Sequence, residues 1–255
     1  MIPGAIENRF RSIAEEKGAA FTVLLDPDNY DNKGFVDAAV KAADGGADVL
    51  FVGGSMVVKP DYPQMIAEAK RESDLPLVLF PGGASQIAPG LDATLFTTLV
   101  SGRNPQYLID EQVRGALMVR ALKMEAIPTA YILVDGGRTT AVEYVSNTRP
   151  IPADKPKLTA ATAMASSLMG MRWAYLEAGS GALNPVPLEH VGAVKKMCPE
   201  LQLIVGGGIT TPELAGQRVQ AGASMIVTGN LWEKTQDVSL FKEFADAIHQ
   251  QKKDC

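Results

Sequence analysis

Eight runs of apolar and β-branched residues, each about the length of one strand, recur along the chain: FTVLL at 21–25, DVLFV at 48–52, PLVLF at 76–80, ATLFTTLV at 93–100, TAYILV at 129–134, WAYLE at 173–177, QLIV at 202–205 and SMIVT at 224–228. They do not alternate polar with apolar residues, so both faces of each must be buried, which is the condition of a parallel sheet covered by helices. Helical spacing fills the intervals at 34–45, 61–72, 105–124, 158–171, 187–197 and 211–222, with Pro105, Pro187 and Pro212 near helix starts and Gly222 at a helix end. Eight strands with intervening helices predict a (β/α)8 TIM barrel, a fold typically of ~250 residues. An open doubly wound sheet is the alternative. A single domain over residues 1–255 is expected.

Two intervals break the alternation. Between the third and fourth runs the chain reads PGGASQIAPG, which leaves no room for a helix between Gly83 and Leu91. The barrel is therefore predicted to be a modified one that lacks the helix after strand 3. The second irregularity, GGRTTAVEYVSNTRPIPADKPK at 136–157, is too long for a plain connector and is expected to lie over the active-site face.

Composition narrows the class of partner. Hydrophobic residues make up 46% and the net charge is -5, with no basic stripe, which argues against a nucleic-acid binder. Cys198 and Cys255 show no metal spacing and are expected as free thiols in a reducing compartment. The N-terminal residues lack the pattern of a signal peptide, and no apolar run approaches the ~20 residues of a membrane span. A cytoplasmic protein with no transmembrane segment is the expectation.

In such barrels the chemistry sits just after each strand. Here those positions read DPDN (Asp26 to Asn29), GGS (Gly53 to Ser55), EAGSG (Glu177 to Gly181), GGGI (Gly206 to Ile209) and TGN (Thr228 to Asn230). The glycine segments let backbone N–H groups approach an anion, and three of them converging on one rim predict a phosphate-bearing ligand. Asp26 and Asp28, next to Ser55 across the rim, are hard oxygen donors of the sparse kind that suits Mg²⁺; the competing reading is that the aspartates cap a turn. His190 and His249 fall in helical segments and are expected to pack rather than catalyse. The ten methionines are scattered and read as core filler.

Taken together, LDPD, GGS, SGRNPQYLI, YLEAGSG, VGGGI and TGN resemble the geranylgeranylglyceryl phosphate synthases and their bacterial relatives, the prenylglyceryl phosphate synthases, in the same order over nearly the whole chain. The resemblance implies a Mg²⁺-dependent prenyltransferase that joins sn-glycerol 1-phosphate to a prenyl diphosphate, most simply geranylgeranyl diphosphate, with release of diphosphate. It assigns metal binding to Asp26 and Ser55. It assigns the glycerol phosphate site to Tyr175, Leu176, Glu177, Ala178, Gly179, Ser180, Gly181, Gly206, Gly207, Gly229 and Asn230. Some members carry a lysine two residues before the first aspartate, where this chain has Leu24. Asp26 and Glu177 are the catalytic candidates, and Glu177, the one carboxylate inside the phosphate loop, is expected to hold the glycerol hydroxyls and accept the proton.

A homo-oligomer and, for the lipid product, transient contact with a membrane are expected. The wall left bare by the missing helix is the expected prenyl groove, running from the Asp26 and Ser55 side of the mouth down the outside of strands 2 to 4, with Phe80, Phe96 and Tyr107 as lining candidates. Two other readings share the glycine loops: a phosphosugar isomerase or aldolase, for which Lys59 and Lys155 are the nearest lysines, and a non-catalytic phosphate-ligand sensor.

Overall fold

The computed structural model describes residues 2–249, and Cys255 lies outside them. The eight runs close into one parallel barrel in sequence order: β1 (Ala20–Leu25), β2 (Val49–Val52), β3 (Leu77–Leu79), β4 (Ala93–Leu99), β5 (Glu125–Leu133), β6 (Trp173–Glu177), β7 (Gln202–Gly206) and β8 (Met225–Thr228). The barrel closes where β8 pairs with β1, with Ala20 opposite Met225 and Val23 opposite Thr228. Strand residues divide between two apolar layers, which explains why no run alternates. Val49, Phe51, Val78, Leu95, Trp173, Tyr175 and Ile204 fill the barrel interior, whereas Val23, Leu25, Leu50, Val52, Leu77, Ile132 and Leu176 face the helices.

Around the strands lie α1 (Ala5–Lys17), α2 (Asn32–Asp44), α3 (Tyr62–Glu72), α4 (Glu111–Ala121), α5 (Ala141–Ser146), α6 (Pro156–Leu168), α7 (Leu188–Met197), α8 (Pro212–Gln220), α9 (Asn230–Thr235) and α10 (Val238–Ile248). Helix α1, which the hydrophobic pattern did not announce, closes the end of the barrel opposite the strand C-termini. Its Phe10 is fully buried in the inner layer, edge-on to Trp173 at 5.8 Å. Glu7 is fully buried beside it and accepts from Arg172 Nε (2.7 Å) and the Trp173 indole (3.2 Å). Glu125 holds the start of the same helix by accepting from the Ile6 and Glu7 amides.

The missing helix is real. A single 3₁₀ turn, Ala84–Gln86, stands in the interval after β3. Gln86 pins that loop to the one after β2, accepting from Gly82 N at 3.0 Å and donating to Gly54 O at 2.8 Å, while Glu111 accepts from Ala84 N at 2.7 Å. Phe96, Thr97 and Thr98 are the incompletely buried positions of β4, and Phe96 and Thr97 line the space where the helix is missing. The helix expected at 105–124 begins as a π-turn, Gln106–Asp110, before α4. The stretch 136–157 carries α5 and returns to the sheet through a bridge between Val134 and Ile151. Among the described residues no helix is long and apolar enough to cross a membrane.

Candidate active site

The C-terminal ends of the strands enclose a cavity lined by Asp26, Ser55, Tyr175, Glu177, Ser180, Gly181, Gly207, Gly229 and Asn230. Nine of the residues singled out from the sequence thus meet in one place. Asp26 ends β1 and caps the short turn Pro27–Asn29, its Oδ1 accepting from Asp28 N at 3.1 Å. Its other oxygen lies against Gly54, where a Cβ would come within 2.3 Å of Oδ2. Only glycine permits that approach. Burial, reinforced by the carboxylates of Glu233 and Asp28, pushes Asp26 up from 3.8 to about 6. Asp28 faces away from the cavity: its carboxylate accepts from Val58 N and Lys59 N, both at 3.0 Å, and so ties the β1 turn to the loop carrying Ser55. Of the two aspartates, one lines the cavity and the other is a loop anchor.

Glu177, at the end of β6, is 5% exposed. Its Oε1 accepts from Gly179 N at 2.7 Å and its carboxylate also accepts from the Tyr175 phenol. Burial outweighs both bonds and raises it from 4.5 to about 7. Gly207, at φ +78°, makes room for it, since a Cβ there would lie 2.2 Å from Glu177 Oε1. Beyond the carboxylate, Ser180 Oγ donates to Asn230 Oδ1 at 2.6 Å and joins the β6 loop to the start of α9.

Four residues of the expected phosphate site stand behind the cavity rather than in it. The strand period turns the side chains of Leu176 and Ala178 into the outer layer beneath the helices. Gly179 spends its amide on Glu177 and packs under Thr140, and Gly206 lies against the Tyr175 ring. Phe80 departs from its expected place as well. It lines this cavity, stacked on Tyr175 with centroids 4.8 Å apart, and Tyr131 meets both rings at 5.6 Å.

The sequence pattern did not reveal Tyr131, Thr210, Glu233 and Lys234, all of which line the cavity together with Asn29 of the DPDN segment. Lys234 is the one lysine or arginine among the described lining residues. Both histidines pack. His190 is fully buried between Thr159 Oγ1 (2.8 Å) and Ala153 O (2.9 Å), and His249 lies 2.7 Å from Asp48.

A second, apolar cavity lies on the outside of β4, in the space of the missing helix. Phe96 and Tyr107 line it as expected, with Ala84, Ile87 and Leu99; Gly115 and Val119 of α4 form one wall and Val142 and Val145 of α5 another. Its strand lining comes from β4, with Tyr131 of β5, rather than from strands 2 to 4, because α3 covers the outer faces of the earlier strands through Met65, Ile66 and Ala69. Ser55, Pro81, Gly82, Tyr131, Val142 and Val145 line both cavities.

The chain matches the PcrB family over residues 11–248. It is 41% identical over 245 residues to the geranylgeranylglyceryl phosphate synthase of Korarchaeum cryptofilum, covering 96% of this chain and 99% of that protein. The enzyme of the same name from Chitinophaga pinensis is 41% identical over 230 residues, 90% of either chain. Among solved structures, the (S)-3-O-geranylgeranylglyceryl phosphate synthase of Thermoplasma acidophilum in complex with its substrate sn-glycerol-1-phosphate superposes with a TM-score of 0.90 at 32% identity, covering 97% of this chain and 99% of that one. Likeness to tryptophan synthase from M. tuberculosis, at 17% identity and a TM-score of 0.61, reflects the shared barrel alone. The match along nearly the whole chain, by family model and by relatives alike, makes this protein a member of the PcrB family.

Proposed function

We propose that this protein is a prenyltransferase that forms the ether between sn-glycerol 1-phosphate and a prenyl diphosphate, geranylgeranyl diphosphate foremost, with Mg²⁺ as cofactor. One observation carries the reading: a polar cavity suited to phosphates and an apolar groove suited to a hydrocarbon tail share a wall at Ser55, Tyr131 and Val142. A molecule with an anionic head and a long apolar tail fits across that junction. The names of the relatives, and the glycerol phosphate bound in the Thermoplasma acidophilum enzyme, support the same chemistry.

In this reading the glycine segments at Gly181, Gly207 and Gly229, with Ser180 and Asn230, hold the phosphate of the glycerol substrate. Its free hydroxyl then stands beside Glu177 and faces the junction, so that a bimolecular encounter becomes an oriented one. The hydroxyl oxygen bonds to the prenyl C1, the bond from C1 to the diphosphate oxygen breaks, and the hydroxyl proton passes to Glu177. A carboxylate raised to about 7 suits that exchange at neutral pH. Helix α5, whose Val142 and Val145 line both cavities, covers the junction and limits the access of water.

The donor set fits magnesium. Asp26 offers a half-buried carboxylate oxygen, Ser55 offers a hydroxyl, and so few protein ligands leave positions for substrate phosphate oxygens. Bound there, the ion would neutralise charge on the departing diphosphate. Lys234, on the same cavity, supplies a cation where Leu24 does not. The isomerase or aldolase reading is less well served: Lys59 donates to Tyr30 O, Lys155 pairs with Asp154 at 2.7 Å, and neither lines the cavity. A phosphate sensor has no use for the apolar groove.

Incubation with Mg²⁺, sn-glycerol 1-phosphate and prenyl diphosphates of ten to thirty-five carbons tests the reading. The prenyl ether is expected, and absence of product with every chain length would refute it. Filling the groove with Ala84→Trp or Val119→Trp is expected to shorten the longest tail accepted while leaving glycerol phosphate affinity alone. An unchanged length preference in these variants, with folding verified, would move the tail elsewhere.

We further propose that the chain works as a homo-oligomer. Ile109, Val113 and Leu117 recur at four-residue spacing near and along α4 and are 55%, 64% and 77% exposed. A row of this kind, beside the groove, suits a second copy of the chain. Sedimentation is expected to give a mass above that of one chain and to fall back to it on Leu117→Glu.

A further inference from the structure

Helix α9 is only six residues long, yet it touches both halves of the mouth. Trp232 anchors it, fully buried and edge-on to Phe241 at 4.5 Å. From that anchor the first residue, Asn230, meets Ser180 on the glycerol phosphate side. The fourth, Glu233, turns toward β1, where its Oε1 accepts from Asn29 Nδ2 at 3.0 Å and from Asp26 N at 3.4 Å. The turn so held is the short 3₁₀ segment Pro27–Asn29, capped by Asp26. Glu233 therefore grips both ends of the turn that aims the Asp26 carboxylate. It does so although like charge opposes the approach of one carboxylate to another, and no charge is needed for either hydrogen bond.

We propose that Glu233 is a positioning residue, a strut from α9 that fixes the direction of Asp26 through its acceptor oxygen rather than through its charge. The inference rests on the reading of Asp26 as the metal and diphosphate side of the mouth, and adds a residue that the motifs do not contain. Glu233 touches neither substrate in this account. It acts by keeping the Asp26–Asn29 turn in register with the loop of Ser55, which Asp28 holds from the other side. Glu233→Gln preserves an acceptor oxygen for Asn29 and Asp26 N, whereas Glu233→Ala removes it, so the two variants separate the strut from the charge.

Calorimetry on the full-length protein tests this, with two probes used separately: inorganic diphosphate in the presence of Mg²⁺, and sn-glycerol 1-phosphate alone. Glu233→Ala is expected to weaken the Mg²⁺-dependent binding of diphosphate about tenfold, the equivalent of one to two net hydrogen bonds. Glycerol phosphate affinity should stay within about twofold, as an intact fold and an intact α9 require. Glu233→Gln should recover most of the diphosphate affinity. In turnover, the alanine variant should show a raised Mg²⁺ requirement and an unchanged KM for glycerol phosphate. Full diphosphate affinity in Glu233→Ala, equal loss of both ligands, or a glutamine variant as impaired as alanine would each overturn the strut. If the parent protein itself bound no diphosphate with Mg²⁺, the assignment of Asp26 would fall first and the strut with it, an outcome distinct from failure in the variants alone.

Discussion

Glu177→Gln is expected to lower kcat/KM for glycerol phosphate by about 10²–10⁴-fold, the usual worth of a positioned general base, and at the same time to make the fold more stable above neutral pH. Both effects have one cause. In the proposed reaction the ionised carboxylate at the end of β6 takes the proton, but it is buried, and burial raises it from 4.5 to about 7. A group whose folded value is raised contributes stability that is fully present below its unfolded value and is lost as pH rises through the folded one. For Glu177 that loss spans the window from 4.5 to about 7, and at ~1.4 kcal/mol per tenfold change in proton affinity it amounts to roughly 3 kcal/mol. Glutamine, neutral in both states, escapes it. Denaturation in urea should therefore show the variant ahead of the parent at pH 8, with the difference nearly gone at pH 4.5. The parent's kcat/KM should rise with pH through about 7 and then level, and that limb should vanish in the variant. A variant no more stable than the parent at pH 8 would mean that Tyr175 and the Gly179 amide already compensate the buried charge.

Asp26→Asn should injure the other half of the reaction. Asparagine keeps the size of the side chain and an oxygen for the Asp28 amide, so the turn Pro27–Asn29 survives, but the anionic donor is gone. Turnover with prenyl diphosphate is expected to fall about 10²–10³-fold, the scale seen when one electrostatic contact to a developing anion is removed. Glycerol phosphate binding, measured alone by calorimetry, should change by less than about threefold, because the proposed phosphate loops with Ser180, Gly181 and Gly207 follow β6 and β7, strands that do not pair with β1. Equal weakening of glycerol phosphate and of Mg²⁺-dependent diphosphate binding would show that the two sides had been drawn wrongly.

The strands were readable because burial on two faces leaves no alternation, and a run without alternation bounded by glycine or proline has few other uses. The strand that was read short, β5, shows the limit. Its first residues, Glu125 to Pro128, include a charge and a proline, yet they pair with Ala93 to Phe96. The charge is used to cap α1, a partner 119 positions away, which no local pattern can announce. Helix α1 escaped for a related reason. Its mean character is polar, and the buried Glu7 is tolerated only because Arg172 and Trp173 come to meet it. In the mouth, the residues that follow strands within glycine-rich segments were found, whereas Glu233 and Lys234 sit inside a helix whose place over the cavity is set by the burial of Trp232. A contiguous motif takes in Leu176 and Ala178, but alternate side chains on a strand point away from the mouth.

The plug that α1 forms has a consequence for traffic. Phe10, Phe51 and Trp173 make a solid floor, so the barrel is a vessel with one open end, not a tube, and the helix layer around its closed sheet has a slit over β4. Whatever enters by the mouth must leave by the mouth or through the slit over β4. On the proposed reaction, diphosphate is too charged for the slit, and a product with its head at the mouth and its tail along β4 would obstruct the open end. Egress would then be ordered by shape: the small anion first, by the mouth, and the lipid after it, along the groove over β4.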